Sequence, residues 1–284
     1  MNRNQALTLL TDEAGRGEIH FPTNTQVTLK VRQALDDPDC HLEAAGKLIQ
    51  ADPLLAAQVV ALANSVAFNP AGREITEVRT AAARLGFETL RTLVMAQLTR
   101  QMAGAASSPE QQRMTAQLWT HSAHVAALAR VIGRRVSGQN PDTALFAGLV
   151  HEIGGFYLLS RSSQYPCLLD PRPAGAPGKD TSTDVDRIAV ENALGLAVLR
   201  QLAVPPPVIA AVEHYSQGYL SLPPKSLGDT LLLADYLAPA LSPLLPAEVD
   251  QGAAALDFAD GELSLSQVLA ESAEEVDALI AALR

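Results

Sequence analysis

Apolar residues recur along most of the chain at spacings of three and four, the period of helices that keep one face in a core. Val27, Val31 and Leu35 mark the first stripe, over residues 25–35, which stops in the turn cluster Asp36-Asp37-Pro38-Asp39. Leu42, Ala45, Leu48 and Ile49 carry a second helix over 41–50. Asp52-Pro53 opens a third over 54–63, with Leu55, Val59 and Leu62 at helical spacing; proline suits a first turn, where its missing N–H is not needed. Asn64-Ser65 is expected to end that helix, asparagine in a left-handed cap and serine bonding locally. After the loop Asn69-Pro70-Ala71-Gly72, residues 78–85 form a helix that closes at Gly86, and 89–102 form another. Five short helices with short connections predict a compact helical subdomain.

Residues 103–110 are small and polar and contain Pro109, which puts a subdomain boundary there. A second helical series follows over 112–136, 142–159, 184–202, 207–215 and 226–237. Pro166, Pro171, Pro173 and Pro177, with Gly175 and Gly178, interrupt the pattern in 160–183 and predict a mobile loop. Trp119 is expected to anchor the core between the two halves. At the C-terminus, residues 264–269 and 274–283 carry two apolar faces. Leu263, Leu265, Val268 and Leu269, then Val276, Leu279, Ile280 and Leu283, would be costly to leave in water, so this segment is expected to pack on the body. No convincing strand and no strict repeat are visible.

Composition sharpens this reading. The chain has 284 residues, 48% of them hydrophobic but only 4% aromatic. Ala and Leu dominate, which favours closely packed helices over a β-sandwich. Cys40 and Cys167 cannot build a disulfide framework or a cysteine zinc site alone. The N-terminus has no apolar signal core, and the uncharged stretch 53–72 holds Gln58, Asn64, Ser65 and Asn69 with two prolines. It falls short of the roughly 20 apolar residues that a membrane span needs. The expectation is a soluble, reduced, cytoplasmic chain with no membrane partner.

A net charge of −10 disfavours a nucleic-acid partner. Charge is unevenly spread, however: residues 73–135 hold nine Arg against four Glu, and 241–284 hold nine acids against one Arg. Two solvated helical faces of opposite sign are the expectation, with docking of the acidic segment on the Arg-rich middle as the alternative. Arg84, Arg91 and Arg100 could together bind a phosphorylated ligand, but solvated or ion-paired arginines are the plainer expectation.

The candidate chemistry lies where ionisable residues interrupt apolar helical patterns. His151-Glu152, before Ile153-Gly154-Gly155, is an adjacent imidazole and carboxylate that on one continuous helix would project about 100° apart and reach one ion. His121 lies upstream in Trp119-Thr120-His121-Ser122, and Asp235 downstream in Leu233-Ala234-Asp235-Tyr236. His124 could chelate with His121 from one helix face, though a structural or surface role is the plainer expectation; His20 and His41 are expected to be solvated.

The order His, then His-Glu-Ile-Gly, then Asp resembles the metal-binding arrangement of HD-superfamily phosphohydrolases. Its context resembles the regulatory branch of that superfamily, the HDOD domain. The resemblance runs through Phe21-Pro22, Ala51-Asp52-Pro53-Leu54-Leu55-Ala56, Leu62-Ala63-Asn64-Ser65, Ala83-Arg84-Leu85-Gly86, Trp119-Thr120-His121-Ser122, Phe146-Ala147-Gly148-Leu149-Val150-His151-Glu152-Ile153-Gly154 and Leu233-Ala234-Asp235. It implies an all-α fold of two adjoining helical subdomains, the second an HD-like helical bundle. Residues 1–19 would be an N-terminal extension, 20–105 the first subdomain, 106–240 the second and 241–284 acidic helices packed on the body.

The resemblance implies metal ligands at His121, His151, Glu152 and Asp235, with Glu191 and His214 as further ligand positions. Several departures argue against turnover. Glu152 stands where the family has Asp and displaces the carboxylate by roughly an ångström or more. Gly155 stands where active members commonly carry Lys or Arg, and Glu213-His214-Tyr215 keeps one histidine where a pair is frequent. The implied function is therefore non-catalytic bacterial signal transduction through contacts with other signalling proteins, with homodimerisation open and the metal site degenerate. No cofactor is expected, a single divalent metal being the exception. The alternative is a metal-dependent phosphohydrolase or phosphodiesterase acting on a nucleotide or cyclic nucleotide.

Overall fold

Short polar side chains start the helices by accepting from backbone N–H groups that have no partner within the helix. Asp52 caps Leu54 and Leu55 at 3.1 Å, Asn140 caps Asp142 and Thr143, and Ser226 and Ser264 form capping boxes with Asp229 and Gln267. The computed structural model describes residues 2–19, 26–103, 108–169, 181–244, 259–260 and 263–283. In them the helices are α1 (Arg3–Gly15), α2 (Gln26–Asp36), α3 (Leu42–Gln50), α4 (Pro53–Asn64), α5 (Val78–Ala103), α6 (Pro109–Ile132), α7 (Pro141–Val150), α8 (Ile153–Arg161), α9 (Thr181–Gln201), α10 (Pro206–Gln217), α11 (Leu227–Leu237), α12 (Leu265–Glu271) and α13 (Ala273–Leu283). The fold is all-α; among the described residues one two-residue antiparallel pair, Ala259–Asp260 with Leu263–Ser264, is the exception.

Gly86 bends α5 with φ 75° and ψ 167°, at the place where the pattern breaks one helix into two. Two expectations need correction and one helix is added. The continuous helix over 142–159 is two helices, α7 and α8, because Glu152 leaves helical geometry at φ −105° and ψ 25°. The N-terminal extension contains α1, which buries Ala6, Leu7, Leu10 and Ala14 and packs on α9. Its weak amphipathic stripe hides it in the sequence. Asn64 takes no left-handed cap: Ser65 ends α4 in an extended conformation, and the Asn64 side chain instead holds the backbone of Ile75. The Asn64 amide donates to Ile75 O at 2.7 Å and its oxygen accepts from Ile75 N at 2.8 Å. Asn64→Ala should therefore cost about 1–3 kcal/mol, because both groups of Ile75 lose their partner. Urea unfolding of the variant checks this, and an unchanged midpoint would contradict it.

The two helical halves share one core. α5 packs on α7 and α8, and Trp119 in α6 joins several layers. Its ring meets Phe156 edge-on at 6.1 Å, lies under Arg100 at 5.1 Å, and donates its N–H to Leu283 O at 3.2 Å. The apolar run Pro141–Arg161 is long enough by composition to cross a bilayer, yet 83% of its most apolar window is buried inside the protein. Of the segment expected as a mobile loop, residues 170–180 lie outside the described residues, as do 104–107 of the expected boundary.

Among the described residues, the docked alternative holds for one end of the Arg-rich stretch, Arg130 to Arg135, which meets Glu271 and Glu275. α13 packs on α6, and Arg134 pairs with Glu275 while Arg135 donates to Ser272 Oγ at 2.9 Å and pairs with Glu271. Arg130 lies 4.4 Å over the Phe68 ring and pairs with Asp142. Arg84 donates to Phe68 O and Asn69 Oδ1 at 3.2 Å, and Arg91 donates to Leu35 O and pairs with Asp36.

Candidate metal centre

Four helices deliver the sequence-predicted side chains to one buried point. His121 lies within α6, His151 closes α7, Glu152 opens α8 and Asp235 sits in the last turn of α11. Two close helix contacts bracket the central pair. A Cβ on Gly148 would come within 2.7 Å of the Ala126 amide nitrogen, and one on Gly154 would lie 2.9 Å from Gly195 Cα. Small residues thus bring α6 against α7 and α9 against α8, and the break between α7 and α8 turns both side chains inward. Convergence does not come from adjacent positions on one helix, as the sequence suggested.

Nε2 of His121 is 3.0 Å from Asp235 Oδ1, 3.3 Å from His151 Nε2 and 3.7 Å from Glu152 Oε2. Ligand atoms of His121, His151 and Asp235 lie within 4.8 Å of one another. Nδ1 of His121 donates to Ala240 O at 2.7 Å, and Nδ1 of His151 donates to Gly148 O at 2.7 Å. A carbonyl can only accept, so each Nδ1 carries the hydrogen and each Nε2 of the neutral ring is bare. Two bare nitrogens facing each other need a proton or a cation between them.

In the metal-free chain the proton resides on His121. Burial opposes its charge, but the Asp235 hydrogen bond and the fields of Glu152 and Asp235 outweigh it and raise the pKa from 6.5 to about 9. Burial, reinforced by the charge on His121, holds His151 below the usual imidazole range. Glu152 Oε2 is buried with no hydrogen-bond partner, and Asp235 Oδ1 faces His121 Nε2 at 3.0 Å. The two imidazole nitrogens and the Asp235 oxygen make a donor set that fits one divalent cation of borderline hardness, and Glu152 stands beside that group, 3.7 Å from His121.

The site is closely covered. Tyr215 of α10 sets its ring edge-on to His151 at 5.2 Å and bonds Asp235 through its hydroxyl. Burial and then the nearby carboxylates push the phenol well above its ordinary pKa, so it keeps its proton. The chain after α11 covers another side: Ala240 O binds His121, and Ser242 Oγ donates to Glu152 Oε1 at 2.7 Å. Leu244 fills the space beside Gly155, where a Cβ would overlap Leu244 Cδ1 and lie 3.3 Å from Leu118 Cδ2.

The two further ligand positions are engaged elsewhere. Glu191 pairs with Arg3 of α1 at 3.2 Å, and His214 Nε2 meets Asp229 Oδ1 at 3.2 Å. His124 bonds the carbonyl of Thr120 on its own helix. Sequence reasoning missed Tyr215, Ser242 and the Ala240 carbonyl. Tyr215 directly follows His214 on an apolar helix and could have been suspected, whereas a backbone carbonyl leaves no mark in sequence.

Over its whole length the chain is similar to a candidate metal-dependent phosphohydrolase from Shewanella amazonensis SB2B, at 21% identity and a TM-score of 0.70, covering 100% of this chain and 99% of that one. An HDOD domain protein of unknown function from Geobacter sulfurreducens is 21% identical with a TM-score of 0.61, covering 99% of this chain and 97% of that one. A candidate signal-transduction protein from Marinobacter aquaeolei VT8 is 20% identical with a TM-score of 0.55, covering 93% of this chain and 59% of that one. Likeness at such identity concerns the fold. No curated protein matches. The HDOD domain profile matches residues 21–217, from before α2 to the end of α10, and by that match the chain belongs to the HDOD domain family.

Proposed function

We propose that this chain is a non-catalytic signal-transduction domain of the bacterial cytoplasm that acts through contacts with other signalling proteins. Its HD-type site, on this reading, is a buried brace between α6, α7, α8 and α11 that holds a proton or one divalent ion and does not turn over a substrate. The observation that carries this is the cover over the site. Ala240 and Ser242 occupy hydrogen-bonding positions on His121 and Glu152, and Leu244 fills the place beside Gly155 where a cationic side chain would meet a phosphate. A phosphoryl group needs both an approach to the ligands and a second positive group.

His121, His151 and Asp235 would hold the ion, with Glu152 beside them. When bound, a divalent metal supplies Lewis acidity and a more acidic bound water. The chain's own residues orient the ligands, through the carbonyls of Ala240 and Gly148, and keep Tyr215 protonated against Asp235. Metal-dependent phosphohydrolysis is the second reading, and the unpartnered Glu152 Oε2 favours it.

Elemental analysis followed by calorimetric titration with Mn²⁺ tests the site. At most one ion per chain is expected, and more than one would favour the hydrolase reading. Binding must remove the proton from His121 Nε2, so affinity should rise with pH and level off near 9. Without metal the sign is opposite. The raised His121 value gives stability that is complete below about 6.5 and fades as pH climbs through about 9. Melting temperature against pH, with and without chelator, reads both trends; a flat metal-free profile between those values would contradict the assignment.

A further inference from the structure

We propose that the segment from Ala238 to Leu244 is a displaceable strap, closed in this state, whose local release is required before a metal ion reaches the buried site. The proposal deepens the reading of that site as a cation pocket and rests on it. Three different contacts hold the strap, and all three fall on the site or beside it. The Ala240 carbonyl accepts from His121 at 2.7 Å, and Ser242 Oγ donates to Glu152 at 2.7 Å while also accepting from Leu244 N at 3.2 Å. Leu244 seats against Gly155 and Leu118. The strap has no regular secondary structure, and its Leu241 side of the turn is exposed, at 53%. It is therefore held by a few side-chain contacts and not by a backbone ladder, which is the character of a segment that opens locally at modest free energy.

Gly155 is the seat of this latch. Its lack of a side chain leaves room for Leu244, and the atom that a Cβ would meet is the tip of a side chain, which can move. Position 155 lies inside α8, where alanine is a better helix former than glycine. Gly155→Ala should thus unseat the strap without harming the helix. Leu244→Ala removes the same contact from the other partner.

The test is the rate at which diethyl pyrocarbonate acylates His151, read by mass spectrometry against exposed His41 as an internal standard. His151 should react slowly in the parent chain, and about tenfold faster in both Gly155→Ala and Leu244→Ala, as expected when a local opening becomes easier. Far-UV circular dichroism and melting curves check that each variant is folded; because the two act from opposite sides, loss of one leaves the other to decide. Equal His151 rates in the parent and a folded variant would overturn the strap. A parallel Co²⁺ titration, followed by its visible absorption, separates the two ideas. Faster acylation with no cobalt spectrum in any form would remove the cation reading and leave the strap standing.

Discussion

Gly148→Ala should be among the most damaging single substitutions in the chain, destabilising it by about 3 kcal/mol or more. A Cβ at position 148 would overlap Ala126 Cα, come within 2.7 Å of the Ala126 nitrogen and lie 3.0 Å from Val125 C. These are backbone atoms inside α6, so no side chain can swing away, and α6 and α7 must separate. The helix propensity gained by alanine, about 1 kcal/mol, is smaller than the packing lost along that interface. The same separation would pull His151 from His121, since Gly148 supplies the carbonyl that orients the His151 ring. Urea unfolding gives the measurement, with Gly155→Ala as the contrast in which only a side chain must yield. A near-parental midpoint for Gly148→Ala would mean that α6 and α7 do not meet as closely as described.

Removal of residues 259–284 is the second large effect. Leu265, Val268, Leu279, Ile280 and Leu283 are buried, each within 7% exposure. Burial of such a side chain contributes about 1.5–3 kcal/mol, an upper figure because unfolded chains bury some surface already. Five of them together rival the whole stability of a typical domain, about 5–15 kcal/mol. Trp119 would also lose the Leu283 carbonyl, and Arg134 and Arg135 their partners. The shortened chain should be insoluble or lack a cooperative melting transition. Unchanged melting and solubility would show that α12 and α13 are not part of the core.

Much of the fold could be read from periodicity because most helices bury one stripe and start at a cap. Residues 54–63 illustrate this, with Asp52, Pro53, Leu55, Val59 and Leu62 all in the roles that their types suggest. α1 escaped because its buried Ala6, Leu7, Leu10 and Ala14 alternate with Leu9, which is exposed. The division between α7 and α8 was hidden for a different reason. Residues 141–161 are apolar on nearly every side, so periodicity carries no signal of the break at Glu152. At the site, His121, His151, Glu152 and Asp235 could be picked out as ionisable residues in apolar surroundings. Glu191 and His214 are further ligand positions by resemblance alone, and the structure pairs them with Arg3 and Asp229. The strap could not be anticipated, since its action lies in a carbonyl, one hydroxyl and the absence of a side chain at Gly155.

Whether the site turns over a phosphate is read by hydrolysis by the purified chain of bis(p-nitrophenyl) phosphate and of linear and cyclic nucleotides, with Mn²⁺, Fe²⁺ or Mg²⁺ supplied. A covered, non-catalytic site predicts product release no faster than from the His151→Ala variant under the same conditions. Sustained turnover by the parent chain that disappears in His151→Ala would contradict the account and make the chain a metal-dependent phosphohydrolase.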